Sequence, residues 1–212
     1  MKTTQISTDK SKADVFAKVR ESLQESIAVK QLLLEQHVEV IVQIANEMIE
    51  VLWQGNKILL FGNGGSAADS QHIAAELVGR FGIERPSMPA IALTTDTSIL
   101  TAIANDYHYD EIFARQIEGL AQIGDIAIGI STSGNSRNVI RAVETANARG
   151  VKTIALTGGT GGELAKKAHR SLIIPSKNTQ RIQEAHITVG HILCELIEGE
   201  LVRDPRKNKI IE

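Results

Sequence analysis

The chain has a single cysteine, Cys194, so no intrachain disulfide can form and nothing calls for an oxidising compartment. Aromatic residues are only 3% of its 212 residues, too few for a platform on which single-stranded nucleic acid would stack. Charge of one sign is missing too: the formal net charge of −2 recommends no polyanionic partner. No apolar run approaches the ~20 residues of a membrane span. Met1 to Asp14 is polar and lacks the apolar core of a signal peptide. These absences leave a soluble cytoplasmic protein, without nucleic-acid or membrane partners, as the expectation.

What is present is an alternation of short apolar runs and helical periodicity. Residues 1–12 are polar and aperiodic, and disorder is expected there. Val15, Phe16, Val19, Leu23, Ile27, Leu32 and Leu33 recur at helical spacing, which predicts an amphipathic helix over 13–34. A second helix over 37–54 is apolar around much of its circumference, so it packs on more than one neighbour, a subunit interface being one candidate. Five strand-like runs follow, at 58–61, 89–94, 125–131, 152–156 and 171–174, separated by helical stretches. Among these are a short helix over 97–104 capped by Asp96 or Thr97, a turn at Asn105-Asp106-Tyr107, and a helix over 110–121. A long helix over 180–202 ends the ordered part, and 203–212 reads as a solvated tail. Strands alternating with helices imply an α/β fold, a three-layer αβα sandwich on a five-stranded parallel sheet. Residues 13–202 then form one domain, including the N-terminal helical arm.

Ligands of such open sheets sit beyond the carboxyl ends of the strands, at the switch point. Two turns lie at that end. The first, Gly62-Asn63-Gly64-Gly65, precedes a helix for which Ser66 is a good N-cap. Gly62 to Ala67 fits the dinucleotide pattern G-x-G-x-x-G/A. The acidic residue that pattern wants about 20 residues on is lacking; the second run ends at Thr94-Thr95-Asp96 instead. Glycines serving turn geometry alone are the plainer alternative. The second turn, Ser131-Thr132-Ser133-Gly134-Asn135-Ser136, puts four hydroxyls before a helix. Hydroxyls and free helix N–H groups make a neutral cradle for a phosphate, where simple capping needs only one of them.

His72 and Glu76 stand one helical turn apart on the first of these helices. A wet helix face explains a lone pair of this kind, but Ile73, Ala74, Ala75 and Leu77 make the helix largely apolar, and a part-buried carboxylate needs a partner or a job. The final helix adds Gln183, His186 and His191. The two histidines point about 140° apart, so they cannot share a site, and His186 is assigned to structure. His37, His108 and His169 lack companions and are structural or exposed. Gln183 and His191 lie near one face but ~12 Å apart in rise.

Three motifs together, Gly-Asn-Gly-Gly-Ser (62–66), Ile-Ser-Thr-Ser-Gly-Asn-Ser (130–136) and Arg-Ile-Gln-Glu-Ala-His (181–186), resemble the sugar isomerase (SIS) domain family, and within it the branch that isomerises phosphoheptoses. The resemblance runs from about residue 15 to 202. It implies a flavodoxin-like SIS domain, usually in a homotetramer with active sites at subunit interfaces. It also implies conversion of D-sedoheptulose 7-phosphate to D-glycero-D-manno-heptose 7-phosphate, which opens the ADP-heptose route to the lipopolysaccharide core. By the same resemblance Glu76 is the catalytic base and His191 its acid/base partner. His72, Glu76, Gln183 and His191 match the ligands of a zinc, one per subunit. Asn63, Gly64, Gly65, Glu76, Asn105, Asp106, Ser131, Thr132, Ser133, Ser136 and Gln183 match substrate contacts. Gln180 replaces an acidic residue found in some members. The spacing of Gln183 and His191 predicts that the site is composite, with one ligand from a neighbouring chain. The non-enzyme alternative in the family is a binding module that associates with the replication initiator; it lacks the glutamate and the final histidine, both of which stand here.

Overall fold

The computed structural model describes residues 9–203; the disorder expected for 1–8 and the tail expected for 204–212 lie outside the described residues. Five strands, β1 (Ile58–Gly62), β2 (Ala90–Ala92), β3 (Ile126–Ser131), β4 (Lys152–Gly158) and β5 (Arg170–Ile174), form one sheet in the order β2-β1-β3-β4-β5. Every pairing is parallel. β1 and β3 are buried along their whole length, which is why they read as unbroken apolar runs.

The strand period of two divides their side chains between two cores. Ile58, Leu60, Ile128, Ile130, Ile154 and Leu156 face the core built with α2 (Val38–Trp53), α3 (Gly65–Val78) and α8 (Thr179–Arg203). Leu59, Phe61, Ala127 and Ala155 face the other, built with α5 (Ala114–Leu120), α6 (Arg137–Ala148) and α7 (Gly162–Lys167). The result is the αβα sandwich. The chain goes from β1 out to β2 and returns to β3 on the other side. The switch point therefore lies between β1 and β3, where Gly62 pairs with Ile130.

Several local expectations change. α1 (Asp9–Gln36) begins at Asp9, so residues 9–12 are helical where disorder was expected. β2 has only three residues: as an edge strand it pairs with β1 alone, and the proline at 89 leaves it no N–H to donate there. α4 (Thr97–Asp106) is capped by Asp96, which accepts from Ile99 N at 2.9 Å, and runs on through Asn105 and Asp106 in place of the expected turn. The helix expected over 110–121 splits into a 3₁₀ turn, Tyr109–Glu111, and α5, because the His108 ring captures the Asp110 N–H and tightens the first turn.

Two features matter later. At the amino end of the sheet the buried Asp125 carboxylate holds the Lys57 ammonium at 2.6 Å and the N–H groups of Lys57 and Gln122. On α1, Phe16, Leu23, Ile27 and Leu34 are exposed, leaving an apolar stripe uncovered within the chain.

Candidate active site

α3 and α8 follow strands of the same parallel sheet and pack on one face of it, so they run side by side in the same direction. Glycine permits the close approach at two points. A Cβ at Gly65 would stand 2.8 Å from Gln183 Cδ, and one at Gly190 would stand 2.8 Å from Ile73 Cδ1. Gln183 thus lies against the start of α3, and the next two turns bring His191 against His72.

There the three candidate ligands converge. The Nε2 atoms of His72 and His191 are 2.8 Å apart, and Glu76 Oε1 is 3.4 Å from His72 Nε2. One ligand atom from each residue lies within 4.8 Å of the other two. Two imidazole nitrogens and a carboxylate oxygen, closing on one point, are a donor set suited to a divalent metal. Glu76 is neither on a wet face nor sealed in: its side chain is 23% exposed. All three of these donors come from one chain, and Gln183, whose rise from His191 raised the expectation of a composite site, is not among them. α3 supplies two of them and α8 the third. Gln183 remains ~10 Å up the α3 axis, over Gly65.

Around this group stand residues the sequence did not single out. The Phe81 ring packs 5.7 Å from the His191 ring. Asp69 sits one turn before His72 on the same helix face. Burial pushes its carboxyl up to about 6, with the His72 charge pulling it partly back, and Asp69 Oδ2 has no hydrogen-bond partner. Its only sequence signal is the spacing of three to His72.

The first turn is built differently from expectation. α3 starts at Gly65, and Gly64, at φ +55°, occupies the cap position, so Ser66 lies inside the helix and caps nothing. The positive-φ glycine turns the chain two residues earlier than a cap at Ser66 would. The Asn63 and Asn138 amides bond each other reciprocally, both at 2.8 Å, and the Tyr109 hydroxyl donates to Asn63 Oδ1 at 3.2 Å. Asn138, unnoticed in the sequence, thereby ties the first turn to α6.

The second turn runs from the end of β3 into α6. Ser136 occupies the N-cap position yet makes no capping bond; its Oγ lies 2.9 Å from Ser131 Oγ. Capping by the Ser136 hydroxyl is therefore not realised; of the first α6 N–H groups, that of Val139 donates to Asn138 Oδ1 at 2.9 Å, and no described bond takes those of Arg137 and Asn138. Ser133 Oγ accepts from Asn135 N, shaping the turn. Thr132 and Ser133 line a cavity of about 290 Å³ with Thr160, Lys177, Thr179 and Ile182, the last next to Gln183. Asn105 and Asp106 bond each other at 2.8 Å on the exposed end of α4, and no described contact joins them to the rest.

The remaining histidines are elsewhere. His186 is buried and its Nε2 meets Thr157 O at 3.0 Å. Desolvation drives its pKa down to about 4 against the opposing pull of that bond. His169 bonds Thr153.

The SIS domain profile matches residues 21–158. A phosphoheptose isomerase of Aquifex aeolicus is 59% identical over 87% of this chain and 96% of its own length. One from Thermodesulfovibrio yellowstonii is 53% identical over 92% of this chain and 98% of its own. A solved phosphoheptose isomerase from Neisseria gonorrhoeae superposes with a TM-score of 0.83 at 46% identity, covering 87% of this chain and 99% of that one.

Proposed function

The chain belongs to the SIS domain family, and we propose that it is an isomerase converting D-sedoheptulose 7-phosphate to D-glycero-D-manno-heptose 7-phosphate. The observation that carries this reading is the convergence of Glu76, His72 and His191, in a chain that also carries a hydroxyl-lined helix start and is so similar to phosphoheptose isomerases. The replication-initiator binding module is disfavoured by the same residues, since such a module needs neither Glu76 nor His191.

A ketose becomes an aldose when a proton leaves C1, an enediol forms, and a proton returns at C2. Glu76 takes the C1 proton and delivers it to C2, and His191 moves the proton between O1 and O2. Ser131, Thr132, Ser133 and Ser136, with the α6 N–H groups, hold the 7-phosphate, and that remote binding fixes C1 over Glu76. Asn63, Gly64, Gly65, Asn105, Asp106 and Gln183 are assigned to the sugar. The donor set suits zinc, which His72, Glu76 and His191 would hold; Gln183, matched to the fourth ligand by resemblance, stands ~10 Å along α3 in the same chain and would have to come from a neighbouring subunit. When bound, zinc supplies Lewis-acid stabilisation of charge on the sugar oxygens. Glu76 has two carboxylate oxygens, so it could hold the ion through one and keep the other as base.

Self-association into a homotetramer is supported by the exposed apolar stripe of α1 and by an apolar groove of about 920 Å³ between α2 and α8. Subunits meeting there would complete the site with neighbouring residues. The product feeds ADP-heptose and lipopolysaccharide core synthesis in the cytoplasm. The test is Glu76→Gln, which abolishes isomerisation and solvent-deuterium uptake at C2 while sugar-phosphate binding by calorimetry persists; undiminished turnover overturns the assignment.

A further inference from the structure

We propose that Arg85 and Glu198 are positioning residues for this reaction: together they lock the end of α3 onto α8 and hold the Phe81 ring against His191. The inference rests on the site just assigned. Glu198 lies seven residues, two turns, beyond His191 on the same face of α8. Its carboxylate accepts from Phe81 N at 3.0 Å, Gly82 N at 2.7 Å, Ile83 N at 2.8 Å and Arg85 Nε at 2.9 Å. The Arg85 guanidinium then donates to Glu76 O and Leu77 O, both at 2.9 Å, and to Pro86 O. Both side chains are almost wholly buried, at 4% and 3% exposure.

The connectivity is a closed loop. Glu76 gives its carbonyl to Arg85 and turns its carboxylate toward His72. Arg85 bonds Glu198, and Glu198 shares a helix with His191. The 2.8 Å approach of His72 to His191 bridges the loop on its open side. Three N–H groups in succession on one carboxylate fix the segment after α3, and that segment carries Phe81. A shift of either charged side chain would change the spacing of the two helices where the donors meet. The same pair sits far from the phosphate turn, so it acts on the reacting end alone. Another ion pair, Lys57–Asp125, has a buried carboxylate and lies at the starts of β1 and β3, where its described bonds reach neither α3 nor α8; it serves as a control.

The experiment compares Arg85→Lys, Glu198→Gln, Phe81→Leu and the control Asp125→Asn in the full chain. Zinc affinity is measured by competition titration, turnover by kcat and KM, melting by circular dichroism, and the His191 ring signal by NMR of histidine-labelled, metal-free protein. Arg85→Lys and Glu198→Gln are expected to weaken zinc binding and lower kcat by ~10–100-fold with KM nearly unchanged. Both should also move the His191 signal. Asp125→Asn should lower the melting temperature and leave zinc affinity and the His191 signal alone. If the two clamp variants only melt earlier, as the control does, the proposal is overturned. If neither folds, Phe81→Leu decides: an unmoved His191 signal and unchanged kcat overturn it. Should the wild-type protein fail to isomerise sedoheptulose 7-phosphate while the variants still shift zinc affinity and the His191 signal, the functional assignment falls and the clamp stands.

Discussion

His72 and His191, 119 residues apart in the chain, bring their Nε2 atoms to 2.8 Å. Only one proton can lie between two ring nitrogens, so each gains more from a shared cation than from the other. His72→Ala and His191→Ala are expected to reduce bound zinc to well under one per chain by elemental analysis. Chelation should abolish turnover, and zinc should restore it. Full activity in chelator-treated, zinc-free protein would refute the metal's role.

The hydroxyl turn at 131–136 is proposed to hold the phosphate. A hydrogen bond to a charged group is worth ~1.5–3 kcal/mol, so Ser136→Ala or Thr132→Val should cost about 10–100-fold in kcat/KM for the phosphorylated sugar. Binding of the same sugar without its phosphate should be indifferent to either change. Equal losses for both sugars would place these hydroxyls elsewhere on the substrate.

His186 ties stability to acid. Its folded pKa, about 4, lies below the unfolded value of 6.5. Its contribution is therefore fully present above pH 6.5 and is lost as pH falls toward 4, by up to about 3 kcal/mol. Urea unfolding of His186→Leu should show a flatter pH dependence over this window than the wild type. Parallel curves would assign the acid sensitivity to other groups.

Asp69 works in the opposite direction. Its carboxyl is raised to about 6 from 3.8, so it favours the folded state below pH 3.8 and loses that contribution as pH rises through 6. In metal-free protein, Asp69→Asn should gain stability relative to wild type between pH 4 and pH 8. A constant difference across that range would mean that the carboxyl is not strained by burial.

Much of this architecture can be read from local pattern. Unbroken apolar runs mark β1, β3 and β4 because both of their faces are covered, and period and glycine turns mark the helices between them. β2 was overextended because an edge strand pairs on one side only, and no local signal records where that pairing ends. Of the site, Glu76 and His72 share a helix and announce their proximity by spacing. Their meeting with His191 depends on the register between α3 and α8, which small contacts at Gly65 and Gly190 settle. Arg85 and Glu198 were invisible for the same reason: a charged residue before a proline and another in a helix look solvent-facing until tertiary structure buries them together.

The two parts of the proposed site rest on opposite helix poles. The hydroxyl turn opens α6 at its positive end, whereas Glu76 stands two residues before the negative end of α3. The helix poles favour an anion at the first and a cation at the second. On the proposed assignment, a sugar phosphate entering backwards would meet a carboxylate and a carbonyl-rich terminus, so the backbone itself would favour one docking orientation.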